Sequence, residues 1–177
     1  MPNYHCVIDA SALLKRYKEE LGTPIIDDLF EHKDCARHIL NVTIPEVMAV
    51  FFSWQLKGEL AQTRSKNLKE LRKRFRKDRE QDKIIIHNVD DHNISRTSSI
   101  YDSSFDISAP TYKDEQGKLC EKERISPVDV LVLSVCEELK RNYKNAYLFA
   151  SDEHMLKVAE KLGIKAYNPE KLDELPF

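Results

Sequence analysis

Along most of the chain, short apolar runs alternate with stretches in which apolar residues recur every three or four positions. The first run, Tyr4 to Ile8, reads as a strand, and Ala12, Leu13, Leu14 and Tyr17, following Ser11, carry helical spacing. Thr23 and Pro24 fit an N-cap and first helical position for a second helix through Ile25, Ile26, Leu29 and Phe30. His38 to Val42 reads as the second strand. Thr43-Ile44-Pro45-Glu46 has capping-box spacing with proline in the first turn, ahead of an apolar helix Val47 to Leu56 that Gly58 breaks or kinks. From about Gln62 to Gln81 the pattern predicts one long amphipathic helix with a narrow stripe of Leu68, Leu71 and Phe75. Ile84 to Val89 is the third strand. Asn93 to Ile100 is a short helix weakened by serine and threonine, and residues 102–124 are polar and aperiodic, as in a loop or lid. Ser126-Pro127 starts the clearest helix, Val128 to Leu139. A strand Ala146 to Ala150, a helix Glu153 to Leu162 closed by Gly163, and a strand Ile164 to Tyr167 complete the series.

Strands separated by helices, repeatedly, predict a mainly parallel sheet covered on both faces, a three-layer α/β/α sandwich. The chain of 177 residues fits a single domain, with a basic helical expansion at about 57–82 and the polar loop at about 102–124. In such folds ligands gather beyond the carboxyl ends of the strands, where helix N-termini also point.

Composition narrows the function classes. An apolar fraction of 41% and a charged fraction of 33% describe a soluble globular chain. The longest apolar stretches, Val47 to Phe52 and Val130 to Val135, fall far short of the roughly 20 residues that cross a bilayer, so no membrane role is expected. The opening residues lack the basic start and long apolar segment of a secretory signal, which predicts a cytoplasmic location. Cys6, Cys35, Cys120 and Cys136 are scattered without a C-x-x-C pair, predicting neither disulfide nor zinc. The six histidines show no H-x-H or H-E-x-x-H spacing and read as surface or core fillers. Glycine-rich phosphate loops and the G-x-S-x-G elbow of serine hydrolases are missing from the sequence.

The net charge of −2 conceals a split: residues 57–79 carry +7 and the remainder −9. Arg72, Lys73, Arg74, Arg76 and Lys77 form the densest basic stretch, suited to gripping RNA phosphates. A solvated helix face, or a contact with an acidic protein surface, accounts for the same charges.

Four acids occupy strand-to-helix junctions. Asp9 ends the first strand, Asp152 follows the strand Ala146 to Ala150, and Glu46 and Asp129 each lie in a first helical turn. The parallel arrangement puts all four at one edge of the sheet. Carboxylate oxygens are the hard ligands that Mg²⁺ and Mn²⁺ prefer, and such an ion activates water and neutralises a phosphodiester. Each acid also has a plainer explanation. Glu46 in T-x-x-E and Asp129 in S-x-x-D are ordinary capping acids, and Asp9 and Asp152 suit the N-caps of the helices that follow.

In order and setting, these motifs resemble those of the PIN-domain ribonucleases, in particular the VapC-like toxin type. Val7-Ile8-Asp9-Ala10-Ser11-Ala12-Leu13 is similar to that family's opening strand and first acid, and Ile44-Pro45-Glu46-Val47 to its second acidic motif. Ser126-Pro127-Val128-Asp129-Val130-Leu131 resembles the third, Ala150-Ser151-Asp152-Glu153 the fourth, and Leu162 to Pro169 the family's ending. The resemblance implies a Mg²⁺- or Mn²⁺-dependent endoribonuclease whose ligands are Asp9, Glu46, Asp129 and Asp152. It also implies an RNA substrate, homodimers and an antitoxin partner. Ser11 and Ser151 are candidate orienting hydroxyls, each equally suited to capping, and Glu153 is an alternative ligand at the fourth corner. The basic helix and the segment 102–124 depart from compact toxins and weaken the toxin role more than the chemistry. The alternatives are a nuclease-inactive scaffold that binds RNA or protein, and a haloacid-dehalogenase-like phosphohydrolase. The second is weakened by Ser11, which stands where those enzymes carry a second acid.

Overall fold

A computed structural model describes residues 2–81, 83–105, 107 and 125–177, together with the backbone of 111–113 and 119–121. Its strands are β1 (Tyr4–Ile8), β2 (Cys35–Leu40), β3 (Ile85–His87), β4 (Thr111–Lys113), β5 (Leu119–Glu121), β6 (Ala146–Phe149) and β7 (Lys165–Tyr167). Five of them form a parallel sheet in the order β3-β2-β1-β6-β7, and β4 pairs with β5 apart from it. In register, Val7 on β1 stands beside His38 on one side and Leu148 on the other. β1 and β6 are apolar and largely buried, as strands covered on both faces must be.

Two apolar clusters pack on opposite faces, which makes three layers. One holds Ile8, Leu13, Ile26, Leu29, Val47, Phe51, Leu71 and Phe75, drawn from β1 and from helices α1 (Ala10–Leu13), α2 (Thr23–Glu31), α3 (Thr43–Leu56) and α4 (Leu68–Glu80). The other holds Val7, Leu40, Ile100, Leu133, Leu148 and Met155, with helices α5 (Asp91–Ser104), α6 (Pro127–Asn142) and α7 (Glu153–Lys161). Residues alternate between the clusters along β1, because successive side chains on a strand point to opposite faces. The α/β/α sandwich expected from the sequence is therefore the observed architecture. Among the described residues, no helix is long and apolar enough to cross a membrane.

Several boundaries differ from the sequence reading. The helix after β1 is a single turn followed by a 3-10 turn at Leu14–Arg16. Gly22, with φ of 84°, is the N-cap of α2, so Thr23 lies inside the helix and its hydroxyl instead donates to the Lys15 carbonyl. A Cβ at Gly22 would meet the Pro169 backbone at 2.8 Å, so the close approach of the chain's tail requires glycine there. β2 starts at Cys35 rather than His38. The charged Arg37 hid this, yet its guanidinium is anchored on the carbonyls of Leu29, His32 and Lys83.

The long basic helix is shorter than its pattern suggested. Glu59–Gln62 form a separate 3-10 turn, and Asn67 caps α4 by accepting from the Glu70 amide. α5 is longer, at 14 residues, because Asn93, Arg96, Ile100 and Ser104 make a buried stripe and Arg96 pairs with Glu137 of α6. A loop over 102–124 is corrected in part. Residues 102–104 finish α5, and β4 and β5 pair antiparallel, while residues 108–110, 114–118 and 122–124 lie outside the described ones.

Candidate active site

The order of strands reverses at β1 and β6. From β1 the chain moves outward to β2 and β3, then crosses to β6 on the other side and outward again to β7. Beyond the carboxyl ends of such a pair lies the usual ligand crevice of an open parallel sheet. Asp9 and Asp152 follow those two ends, and the Asp9 amide donates to the Phe149 carbonyl at 2.9 Å.

Asp9 is buried and caps α1, with Oδ2 accepting from the Ser11 amide at 3.0 Å and from the Ser11 hydroxyl at 2.6 Å. That hydroxyl in turn accepts from the Ser151 amide at 2.9 Å. Ser11 thus ties the first junction to the fourth. Asp152 caps α7, its Oδ1 accepting from the amides of His154 and Met155 at 2.9 and 2.8 Å. Asp129 closes a full capping box: its amide donates to Ser126 Oγ and its carboxylate accepts from the Ser126 amide, both at 3.1 Å. The capping explanation holds for these three.

It fails for Glu46. The residue preceding α3 is Val42, which offers no side-chain cap, and Thr43 Oγ1 is buried without a partner, so the expected capping box does not form. Glu46 Oε2 is likewise buried and without a hydrogen-bond partner. Burial pushes the Glu46 carboxyl up to about 7, with the charges of Asp9 and Asp129 adding to it. Asp129 is also raised by burial and by Asp9 and Asp152, against the opposing pull of its bonds to Ser126. The buried Cys136 thiol on α6 is pushed up chiefly by burial and next by Asp9. The four junction acids therefore sense one another across the edge of the sheet.

Carboxylate oxygens are suited to a hard divalent cation, and a buried carboxylate oxygen without a partner beside like charges is the condition that such a cation relieves. On those two grounds the chemistry of the individual donors suits Mg²⁺ or Mn²⁺. Among the described residues, no three His, Cys, Asp or Glu side chains are placed to share one ion. Glu153 is engaged elsewhere: its carboxylate accepts from Lys171 at 2.7 Å and from Asn168 at 3.3 Å, which holds it below its ordinary value.

The basic stretch divides. Arg72, Lys73, Arg76 and Lys77 are exposed on α4, whereas Arg74 is half-buried beside Arg16 and Asp78, and burial lowers its pKa. A groove of about 610 Å³ runs between α3 and α4, floored by Met48, Leu68 and Phe75 and rimmed by Lys69, Arg72, Lys73 and Arg76. Sequence reasoning misses Lys69, although its place three and four residues before Arg72 and Lys73 is a usable signal.

Fold and site together define a parallel α/β protein with four mutually acting acids at the point where strand order reverses. No protein-family model matches the sequence, and no curated protein does. Similar solved structures include a PilT N-terminus domain protein from the hyperthermophilic archaeon Sulfolobus solfataricus, 15% identical, with a TM-score of 0.43 over 94% of this chain and 88% of that one. Another is a domain of a functionally unknown protein from Methanocaldococcus jannaschii, 18% identical, with a TM-score of 0.46 over 98% and 96% of the two chains.

Proposed function

We propose that this protein is a divalent-metal-dependent endoribonuclease of the PIN type, with Asp9, Glu46, Asp129 and Asp152 as the residues that would hold Mg²⁺ or Mn²⁺. Glu46 carries the reading, since it is the one junction acid whose position capping does not explain and its buried oxygen has no partner. Bound there, a divalent cation supplies positive charge against a phosphodiester and acidifies water. The chain's own residues orient the centre. Ser11 fixes Asp9 Oδ2, Ser126 fixes Asp129, and the amides of His154 and Met155 fix Asp152. The exposed cations of α4 would track the phosphates of an RNA strand leading to the acids. A homodimer and an antitoxin partner remain proposals from the sequence resemblance alone.

The test is cleavage of single-stranded RNA by the purified protein with Mn²⁺ or Mg²⁺, repeated with EDTA and with Glu46→Gln. Cleavage that stops in both supports the reading, and undiminished cutting in chelator overturns it. One observation favours a second reading, an RNA-binding scaffold that does not cut: among the described residues, no three acids are placed to share an ion. RNA retained on the protein without metal-dependent products would select it.

A further inference from the structure

Three histidines from three adjacent strands form a hydrogen-bonded chain. His5 Nδ1 lies 3.1 Å from His38 Nε2, and His38 Nδ1 lies 2.8 Å from His87 Nε2. His5 is level with Ala36, and His87 with Leu40, so each link steps one strand across and two residues along. His5 and His38 are buried, and His87 is half-buried. Tyr143, at the end of α6, stacks on His5 with ring centroids 3.5 Å apart.

Donor arithmetic makes this chain sensitive to protons. A neutral imidazole offers one N–H donor and one acceptor nitrogen, so three neutral rings satisfy both links in a single direction. One added proton still leaves both links satisfied, whichever ring takes it. A second always leaves one link with N–H facing N–H. The outer link matters most for the fold, because β3 has only three residues, sits at the sheet's edge and, among the described residues, pairs with β2 alone. Among the described residues, the segment is also held by the ladder with β2, by Ile84 and Ile86 in the first apolar cluster, and by a few polar contacts. Arg37 donates to the Lys83 carbonyl, the Asn41 amide donates to the His87 carbonyl, and Asn41 contacts Val89 and Asn88 at 3.4 Å.

We propose that the His5–His38–His87 chain is an acid-sensitive clasp that holds β3 on the sheet and releases it as the imidazoles take up protons. The charged and titratable groups around it are Arg37 on β2, whose charge disfavours protonation of His38, Glu138 on α6, whose charge favours protonation of His87, and Tyr143 over His5. Burial holds His5, His38 and His87 below the ordinary imidazole value, with His38 down to about 3. The opened strand binds protons with ordinary affinity near 6.5, so it gains over the closed one as pH falls below that value. Between pH 7 and 5, the gain is up to roughly 25-fold in the opening equilibrium for each imidazole set free.

Hydrogen exchange followed by mass spectrometry at pH 7 and pH 5, corrected for the intrinsic exchange rate, tests this on the full chain. Peptides covering 83–89 should lose protection by about the single-imidazole factor, while peptides covering β6 hold theirs. His87→Gln and His5→Gln should each flatten that pH dependence, and they keep the test intact if His38→Gln does not fold. Protection at 83–89 that does not change with pH, or that falls equally in β6, overturns the proposal. So does an NMR titration in which the His38 ring takes its proton near 6.5 without movement of the β3 amides.

Discussion

The Ser151 amide donates to the Ser11 hydroxyl at 2.9 Å, and the same hydroxyl donates to Asp9 at 2.6 Å. One oxygen thereby joins two junctions that are 140 residues apart. Ser11→Ala removes both bonds, leaving the Ser151 amide short of a partner and Asp9 Oδ2 with only the backbone amide of residue 11. We expect destabilisation by about 1 to 3 kcal/mol, the usual cost of an unsatisfied buried group, read as a lower urea midpoint. Metal affinity should fall by roughly 10- to 100-fold, as when a ligand is deprived of its orienting partner. Ser11→Thr should restore most of both.

Glu46 gives a pH signature. Its carboxyl is raised from 4.5 to about 7 in the folded protein, so the folded state holds the proton more tightly than the unfolded one. Stability contributed by this group is fully present below about 4.5 and is lost as pH rises through about 7. Glu46→Gln should therefore match wild type at acid pH and exceed it at pH 8 in EDTA. After discounting for the side chain's partial exposure, the excess is on the order of 1 kcal/mol, or about 2 to 4 °C in melting temperature. Mn²⁺ should raise the melting temperature of wild type more than that of the variant.

Asp129 separates capping from chemistry. Its carboxylate accepts from the Ser126 amide, and an asparagine oxygen can accept the same bond. Asp129→Asn should stay within about 0.5 kcal/mol of wild type, whereas Asp129→Ala should lose about 1 kcal/mol. Both should abolish RNA cleavage. An Asp129→Asn protein that cuts RNA at the wild-type rate removes Asp129 from the centre.

The cations of α4 should act unequally. Reversing Arg72, Lys73 and Arg76 to glutamate should weaken RNA binding and lower its salt dependence, by about 0.7 in slope for each phosphate no longer neutralised. Fold stability should change little, because these side chains are exposed. Arg74→Glu should behave differently. Its half-buried guanidinium faces Asp78 as well as Arg16, so reversal puts a new acid beside a buried one and lowers the melting temperature.

Periodicity made the central elements legible. Tyr4 to Ile8, Ala146 to Phe149 and the helix after Ser126-Pro127 fall where their apolar spacing put them. Elements with mixed signals shifted. β2 is obscured by Arg37, whose guanidinium donates to carbonyls at the C-terminal end of α2 and to the distant Lys83 carbonyl. α5 was cut short because its serines lower intrinsic helix propensity, a cost met by packing on α6 that no local pattern reveals. The basic run looked uniform in sequence, but a helix turns about 100° per residue, and Arg74 faces inward while its neighbours face out.

The four junction acids were visible from the sequence because each stands where an apolar strand meets a helix, and a parallel sheet brings such junctions to one edge. What each carboxylate does there was not visible. Thr43-x-x-Glu46 and Ser126-x-x-Asp129 carry the same local code, yet only the second closes its box. The first is left with a buried, unpartnered oxygen beside Asp9 and Asp129. The His5–His38–His87 chain was wholly hidden, since strand order and register, which set it, come from long-range pairing of segments 33 and 49 residues apart. Local spacing fixes which residues face the same side of a strand or helix, and only tertiary packing fixes which of those faces meet.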